Sequence, residues 1–300
     1  MKVTYNKIPT KYIKGENREI ALFSTEGTNI DHTVVEDFGK EWLKFQNYTD
    51  DTIDKFVKEY FDILDDNIVN KNTYAIDIGC GTGRWTKYLS TRAGFVEAID
   101  PSNAVIAADK LLGNIDNIRL TKASVETIPF DNNTFDFAMS VGVLHHIPDT
   151  QKAMIDCVKK VKQGGYFYCY LYYNLDNRGI GFKLLFQVTN IIRKIVSSLP
   201  AKAKSFICDI LAAVIYLPMV LLVRFISSLG FEKFANKLPL SSYKNKSFFV
   251  LRNDALDRFG TRREQRFTRR QVEEMMSASG LGEIVISDKT PYWHGLGKKL

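Results

Sequence analysis

Acidic residues are nearly missing from one stretch of this sequence. Positions 178–247 hold two, Asp209 and Glu232, beside 11 Lys and Arg, a local charge of +9. Positions 1–177 hold 25 acids and 20 bases, a charge of −5, so the +7 of the whole chain is unevenly spread. A stretch of that composition cannot neutralise itself with internal ion pairs. It presents either a solvated basic face or a surface for an anionic partner: a membrane, a phosphorylated substrate or nucleic acid. Cysteine is scarce too. Cys80, Cys157, Cys169 and Cys208 are scattered without metal-ligand spacing. That argues against a metal site and fits reduced, buried thiols of a cytoplasmic protein. The first residues, MKVTYNKIPTKYIKGENREI, lack the apolar core of a signal peptide, so none is expected. No apolar run reaches the roughly 20 residues of a membrane span. The longest, Ile210–Val223, has 14 and contains Pro218. A buried helical cap or a helix lying on a membrane surface is expected there, not a span. Internal repeats are missing as well.

What is present, from Thr73 onward, is an alternation of strand-like and helix-like pieces. YAIDI, FVEAID, NIRLTKA, TFDFAMSV and GGYFYCYLYY read as five strands. Between them RWTKYLSTR, PSNAVIAADKLL and DTQKAMIDCVKKV read as helices, the second with Pro101 at its start and Ser102 as its cap. That order implies a parallel sheet with right-handed crossovers. Ahead of it, Val34–Phe45 and Asp51–Leu64 carry apolar residues at helical spacing. Behind it, the basic stretch holds two long apolar helical candidates, and Phe267–Leu281 reads as a helix capped by Thr268 before two closing strands. The chain therefore divides into a helical cover (1–70), a sheet core (71–177), a basic apolar helical insert (178–247), and a C-terminal helix with closing strands (248–300).

The first of these strands runs into AIDIGCGTGRW. Its glycines let the backbone pass close to a ligand. A dinucleotide fingerprint needs a third glycine where this chain has Arg84, so the Gly79-x-Gly81-x-Gly83 spacing disfavours a nicotinamide-dependent dehydrogenase. Asp77 sits two residues before the first glycine. Asp100 ends the second strand, 21 residues after Gly79, where an acid can accept both hydroxyls of a ribose.

Taken with VEAIDPS, VETIPFDNNTFDFAMSVGVLHHIPD and VKKVKQGGYFYCY, this turn resembles those of the class I S-adenosylmethionine-dependent methyltransferases. The nearest subgroup is the one related to ubiquinone and menaquinone biosynthesis methyltransferases (methyltransferase type 11). The resemblance covers residues 36–175 and, more loosely, 265–297. It implies an α/β fold: a doubly wound, mostly parallel seven-stranded Rossmann-like sheet with an α-helical insert after the fifth strand. It also implies S-adenosyl-L-methionine as cofactor. Gly79, Cys80, Gly81 and Gly83 would then face its amino-acid and ribose parts, with Asp77 on the methionine ammonium. Asp100, followed by Pro101, would hold the ribose. Where the family often carries an acid for the adenine amino group this chain has Ser124, so Ser124 or the backbone at Val125 takes that place. Arg84 either pairs with a carboxylate of the ligand or is a solvated first-turn residue.

Methyl transfer is an in-line displacement at a sulfonium, so positioning and water exclusion do most of the work. Ligands of open α/β sheets bind beyond the carboxyl ends of the strands. SVGVLHHIPD lies there: Val141 and Gly142 would line the sulfonium. His145 and His146 offer a general base, with His146 preferred over its neighbour as packing residue. Tyr172 and Tyr173, at the end of the fifth strand, and Trp42 and Phe45, on an N-terminal helix, offer ring faces for a cation or a flat acceptor. The expected acceptor is a small, anionic molecule such as a sugar, a nucleotide-sugar or a secondary metabolite. The insert would then be a lid or a homodimer surface. The alternative is a peripheral enzyme on the inner face of the membrane, its 178–240 segment on anionic lipid and its acceptor a lipid, a quinone or a lipid-linked molecule. Seven arginines between Arg252 and Arg270 are interleaved with acids. No RNA-binding module or NPPY-type motif accompanies them, so nucleic acid is not the expected partner. The intact glycines, Asp77, Asp100 and the histidine pair argue against a non-catalytic cofactor-binding partner.

Overall fold

In the computed structural model, residues 2–44, 50–177 and 179–300 are described; Phe45 and Arg178 lie outside them. The chain divides into two compact units, residues 1–176 with 263–300, and residues 177–262.

The first unit is built on one nine-stranded sheet in the order β1-β2-β5-β4-β3-β6-β7-β9-β8. Its centre is the expected parallel set: β3 (Tyr74–Ile78), β4 (Phe95–Asp100), β5 (Ile118–Lys122), β6 (Phe135–Val141) and β7 (Val161–Tyr170). β9 (His294–Lys299) joins β7 antiparallel, and β8 (Leu281–Ile286) closes that edge. The seven-strand expectation is too small. The N-terminal segment adds β1 (Lys11–Lys14) and β2 (Glu19–Leu22), and β2 pairs parallel to β5. Residues 1–70 are thus a hairpin on the sheet edge as well as helices α1 (His32–Lys44) and α2 (Asp50–Tyr60).

Every residue of β3 is buried, so its apolar run needs no alternation. Two apolar layers flank the sheet. Phe61, directly after α2, joins Trp85 and Leu89 of α3 (Arg84–Ser90) and Leu112 of α4 (Ala104–Leu112) in one. α5 (Thr150–Lys160) and the helix Arg269–Ala278 supply Met154, Val158, Val272 and Met276 to the other. Thr268 caps the latter helix, its side chain accepting from the Gln271 N–H, as its sequence predicts. α4 begins later than expected. It starts at Ala104 with Asn103 at its cap, while Ser102 Oγ accepts from the Ala104 N–H.

The order reverses at β3, whose neighbours β4 and β6 are approached from opposite sides. Ligands of such sheets bind at this reversal. The glycine turn after β3 and the Val141-Gly142 turn after β6 both lie there. A Cβ on Gly79 would meet the Val143 side chain at 2.5 Å, which is how closely the two turns pack.

The second unit is helical. It includes Phe248–Gly260, which packs with Ile180–Ser197 and Ala201–Leu211. The boundary expected at 247/248 therefore falls at 262/263. Two separate helical candidates resolve as Ile180–Ser197 and one continuous 28-residue helix, Ala201–Ser228, long and apolar enough to cross a membrane. Pro218 does not break it. A π turn at Ala212–Tyr216 precedes the proline and absorbs the carbonyl that its ring would strike. The 14-residue apolar run thus understates this helix.

All four cysteines are buried free thiols. No metal-binding cluster occurs among the described residues.

Candidate active site

The turn after β3 is left-handed at Gly79 (φ 80°), Gly81 (φ 54°) and Gly83 (φ 83°). Side chains are strained in that region, which is why glycine stands at each place. A Cβ on Gly83 would press on Leu112 at 3.0 Å, so this glycine lets α3 lie against α4. The nearest atoms to a Cβ on Gly81 would be those of the Trp42 ring, from 3.6 Å, so Trp42 lies over this turn. Cys80 turns inward. Its N–H and that of Gly79 donate to the Ile99 carbonyl, and burial followed by the charges of Asp100 and Asp77 raises its thiol well above the usual range. It is therefore a neutral packing group.

Two carboxylates flank this turn. Asp77, within β3, is buried and accepts from Thr86 Oγ1 at 2.6 Å. Burial pushes its carboxyl up to about 7 against that hydrogen bond; the negative charge of Asp100 adds to the rise and Arg84 opposes it. Asp100, closing β4, accepts from the Gly81 N–H at 3.0 Å, the Ser102 N–H at 2.8 Å and Ser102 Oγ at 2.6 Å. The site therefore concentrates negative charge where two strands end, and a cation is the complementary guest. The Arg84 guanidinium stacks on Trp85 at 4.6 Å and Trp42 at 5.5 Å. That holding by rings replaces the solvated first-turn position.

Ser124, buried after β5, caps the short helical turn Val125–Thr127, with its Oγ 3.0 Å from Thr127 Oγ1. Its hydroxyl thus has a partner within the same turn.

α1 lies across the strand ends. Phe38 packs on His146 at 4.7 Å, Gly39 approaches Ser102, and Trp42 covers Gly81. Beyond β6, Gly142 (φ 80°) donates its N–H to the Tyr170 carbonyl at 3.2 Å, fixing the turn beside Val141. The two histidines that follow differ. His145 is buried, its two ring nitrogens have no hydrogen-bond partner among the described residues, and Tyr172 stacks on it at 3.9 Å. Burial, then His146 and Arg266, drives its pKa well below the usual value. It is a neutral ring with a packing role. His146 Nδ1 lies 2.7 Å from the Arg263 carbonyl, which can only accept, so Nδ1 carries the proton and Nε2 is the basic nitrogen.

Strand alternation separates the two expected tyrosines. Tyr170 and Tyr172 belong to the layer of α2 and α3, with rings 5.8 Å apart. Tyr173 faces the other layer, against Tyr292 at 5.0 Å and Trp293 at 6.3 Å. Tyr173 is therefore not brought to the site. Arg266 takes up the remaining face of Tyr172, 5.1 Å above the ring, and is paired with Glu264 at 2.6 Å.

Sequence reading missed one pair. His294, at the start of β9, is fully buried among Tyr60, Tyr168 and Tyr170. Its Nδ1 lies 3.3 Å from Asp62 Oδ1, and Asp62 also accepts from Ser287 Oγ at 2.7 Å. Burial lowers the imidazole to about 4 against the pull of Asp62. His294 Nε2 has no hydrogen-bond partner among the described residues. A carboxylate-oriented imidazole facing tyrosine rings is a proton acceptor in form, though a weakly basic one.

The arginines between 252 and 270 are largely spent on internal contacts. Arg252 grips Asp209 with two hydrogen bonds, Arg263 meets Asp31 at 3.2 Å, Arg270 meets Glu274, and Arg258 lies on Phe186.

Residues 76–169 match the family model described as "Methyltransferase domain". A demethylmenaquinone methyltransferase from Staphylococcus aureus is 28% identical over 142 residues, 46% of this chain and 58% of that protein. The chain thus spans less than two thirds of the curated relatives it matches. Among solved structures, a magnesium protoporphyrin IX methyltransferase from Synechocystis, with bound S-adenosylhomocysteine, aligns over 90% of this chain and all of its own. Its identity is 12% and its TM-score 0.49. A SAM-dependent methyltransferase from Aquifex aeolicus aligns over 85% of this chain and all of its own, at 11% identity and a TM-score of 0.46.

Proposed function

We propose that residues 76–169, which match a family model described as a methyltransferase domain, bind S-adenosylmethionine, and that the protein methylates a small acceptor bearing an ionisable O–H, N–H or C–H. The observation that carries this reading is the carboxylate pair, Asp77 and Asp100, set around a left-handed glycine turn at the sheet's order reversal.

When bound, the cofactor supplies an electrophilic methyl group on a positively charged sulfur. The residues present fit it. Asp77 matches the methionine ammonium, and its raised pKa falls back once a cation lies beside it. Asp100 suits the ribose, with one limit. A carboxylate offers about four lone-pair positions, and the Gly81 N–H, Ser102 N–H and Ser102 Oγ already use three. Asp100 therefore takes one ribose hydroxyl, or Ser102 Oγ rotates away for the second. Trp42 and Arg84 cover the turn, and Phe38 and α1 exclude water from the strand ends.

His146 Nε2 accepts the acceptor's proton, its Nδ1–H anchored on the Arg263 carbonyl. Tyr60, Tyr170, Tyr172 and the His145 ring form an apolar wall with ring spacings of 3.9–5.8 Å. The faces of such rings suit a flat or quinone-type acceptor, which stacks on them. The relative named for demethylmenaquinone points the same way. The test is incubation with methyl-labelled S-adenosylmethionine and cell extract, followed by solvent partition. Label in an extractable, ultraviolet-absorbing product supports the flat acceptor. Label only in hydrophilic products sinks it, and no turnover with no cofactor binding sinks the methyltransferase reading itself.

A further inference from the structure

We propose that the unit 177–262 docks on an anionic lipid bilayer through the outward faces of two helices, Ile180–Ser197 and Ala201–Ser228. The first buries Arg193, Val196 and Ser197. On its other side Ile180, Leu184, Val188, Ile191 and Ile195 recur every three or four residues and are 56–77% exposed. Residues at that spacing share one helix face. The second helix repeats the pattern. Cys208, Ala212, Tyr216, Val220 and Val223 are buried in one stripe, and Phe206, Ile210, Val214, Leu221 and Phe225 are exposed in another. That second stripe is about 28 Å long at about 1.5 Å per residue. Only 28% of this helix's most apolar window is buried. Each helix thus packs one side within its unit and turns an apolar stripe to the surroundings. Exposed apolar surface on this scale marks an interaction site.

Charge decides the occupant. Lys183, Lys194, Lys202, Lys233 and Lys237 are exposed, and none makes an ion pair among the described residues. Of the two acids in 178–247, Glu232 is held by Lys244 and Asp209 by Arg252. A second copy of the chain would bring the same basic surface against itself, and like charges would oppose the contact. A bilayer with anionic headgroups accepts the apolar stripes and neutralises the lysines together, the lysine stems lying along the apolar surface with their ammonium groups among the headgroups. Phe231 and Phe234, both more than half exposed, alternate with Lys233 and Lys237 and extend the same surface.

The test is sedimentation of the full-length protein with vesicles of phosphatidylcholine alone or with phosphatidylglycerol added. No cofactor is needed, so the result is independent of the methyl-transfer reading. Binding to the anionic vesicles is expected to be at least about tenfold tighter than to the neutral ones, and to weaken as salt rises. Val188→Asp with Phe225→Asp should reduce it at least about tenfold, because a charge then meets the acyl region. Lys233→Glu with Lys237→Glu lies on exposed positions that the fold does not use, and should remove most of the preference for anionic lipid. That pair carries the test if the first fails to fold. Equal binding to both vesicles overturns the proposal, as does unchanged binding by the lysine variant. Absent vesicle binding with concentration-dependent dimers in light scattering overturns it in favour of a second copy.

Discussion

The two units treat charge in opposite ways. In residues 1–176 and 263–300, buried charges are tied to named partners. Glu97 is fully buried and accepts from Arg119 Nε at 2.8 Å, Arg119 Nη2 at 2.7 Å and the Tyr74 hydroxyl at 2.6 Å. Asp109 is buried against Arg18 at 3.0 Å, and Asp100 takes three hydrogen bonds. In residues 177–262 the exposed lysines outnumber the acids that could pair with them, and large apolar side chains stand beside them in the open. The first unit ties these charges to partners and leaves Asp77 held by a neutral donor, Thr86 Oγ1, where a cation would sit. The second is unbalanced over a broad face. A local excess of charge reads as a ligand site in one and as a surface in the other, because one lies on buried side chains at the strand ends and the other is exposed and apolar.

Breaking the self-satisfied unit should have the largest effect. Glu97→Ala removes the carboxylate of a largely buried pair, and loss of one partner of such a pair costs up to about 3–5 kcal/mol; urea unfolding should show it. Next is His146→Asn. It keeps a donor toward the Arg263 carbonyl and removes the basic nitrogen, so kcat should fall about a hundredfold with cofactor affinity within about twofold. An unchanged kcat moves the base to the Asp62–His294 pair, and His294→Asn is the variant to assay then. Asp100→Ala removes a charged acceptor and should weaken S-adenosylmethionine binding about tenfold to a hundredfold by calorimetry. Vesicle binding should be unaffected, which separates the two units directly.

Acidity should separate them too. A cationic ligand binds ionised Asp77, whose pKa in the folded protein is raised to about 7. Cofactor affinity should therefore fall up to about tenfold per unit as pH drops below about 7, and level off above it. For the protein without ligand the sign is reversed. A raised carboxyl pKa means that ionising Asp77 is disfavoured in the fold, so its contribution to stability declines as pH rises from about 4 to about 7, by about 1.4 kcal/mol per unit. A flat affinity profile between pH 5 and 8 would remove Asp77 from the ammonium contact.

Much of the first unit can be read from its residues, and the reason is local. β3 and β4 are short apolar strands bounded by turn-forming residues, and their segments YAIDI and FVEAID match the observed strands residue for residue. Asp77 and Asp100 follow from those strands by counting. The N-terminal hairpin escapes such reading because each strand has four residues and β1 is largely exposed, so neither alternation nor length separates it from a loop. Asp62 and His294 escape it for another reason. They are 232 positions apart, and only the pairing of β9 with β7 brings His294 beside Tyr170. Tyr173 shows how fine the margin is: one residue along a strand moves a ring from the site to the opposite layer. In the second unit the apolar residues were plain but the helix length was not, since a proline normally ends a helix and here a π turn precedes it.

The smallest expected effect is also the one that sharpens the comparison most. Arg252 and Asp209 form a bidentate pair at 2.9 and 2.7 Å, as geometrically complete as that of Arg119 and Glu97. The two pairs differ in surroundings: the Arg252 and Asp209 side chains keep 34% and 31% of their exposure, the Arg119 and Glu97 side chains 11% and 0%. Water screens the former and solvates whichever partner is left, so Arg252→Met should cost no more than about 1 kcal/mol. Met also retains much of the arginine stem's packing. A loss in urea unfolding close to that of Glu97→Ala would mean that Asp209 is effectively desolvated, and that this end of the Ala201–Ser228 helix is a packed core and not part of a surface. A loss near zero would leave the pair as an exposed contact on a helix whose other side carries the stripe from Phe206 to Phe225.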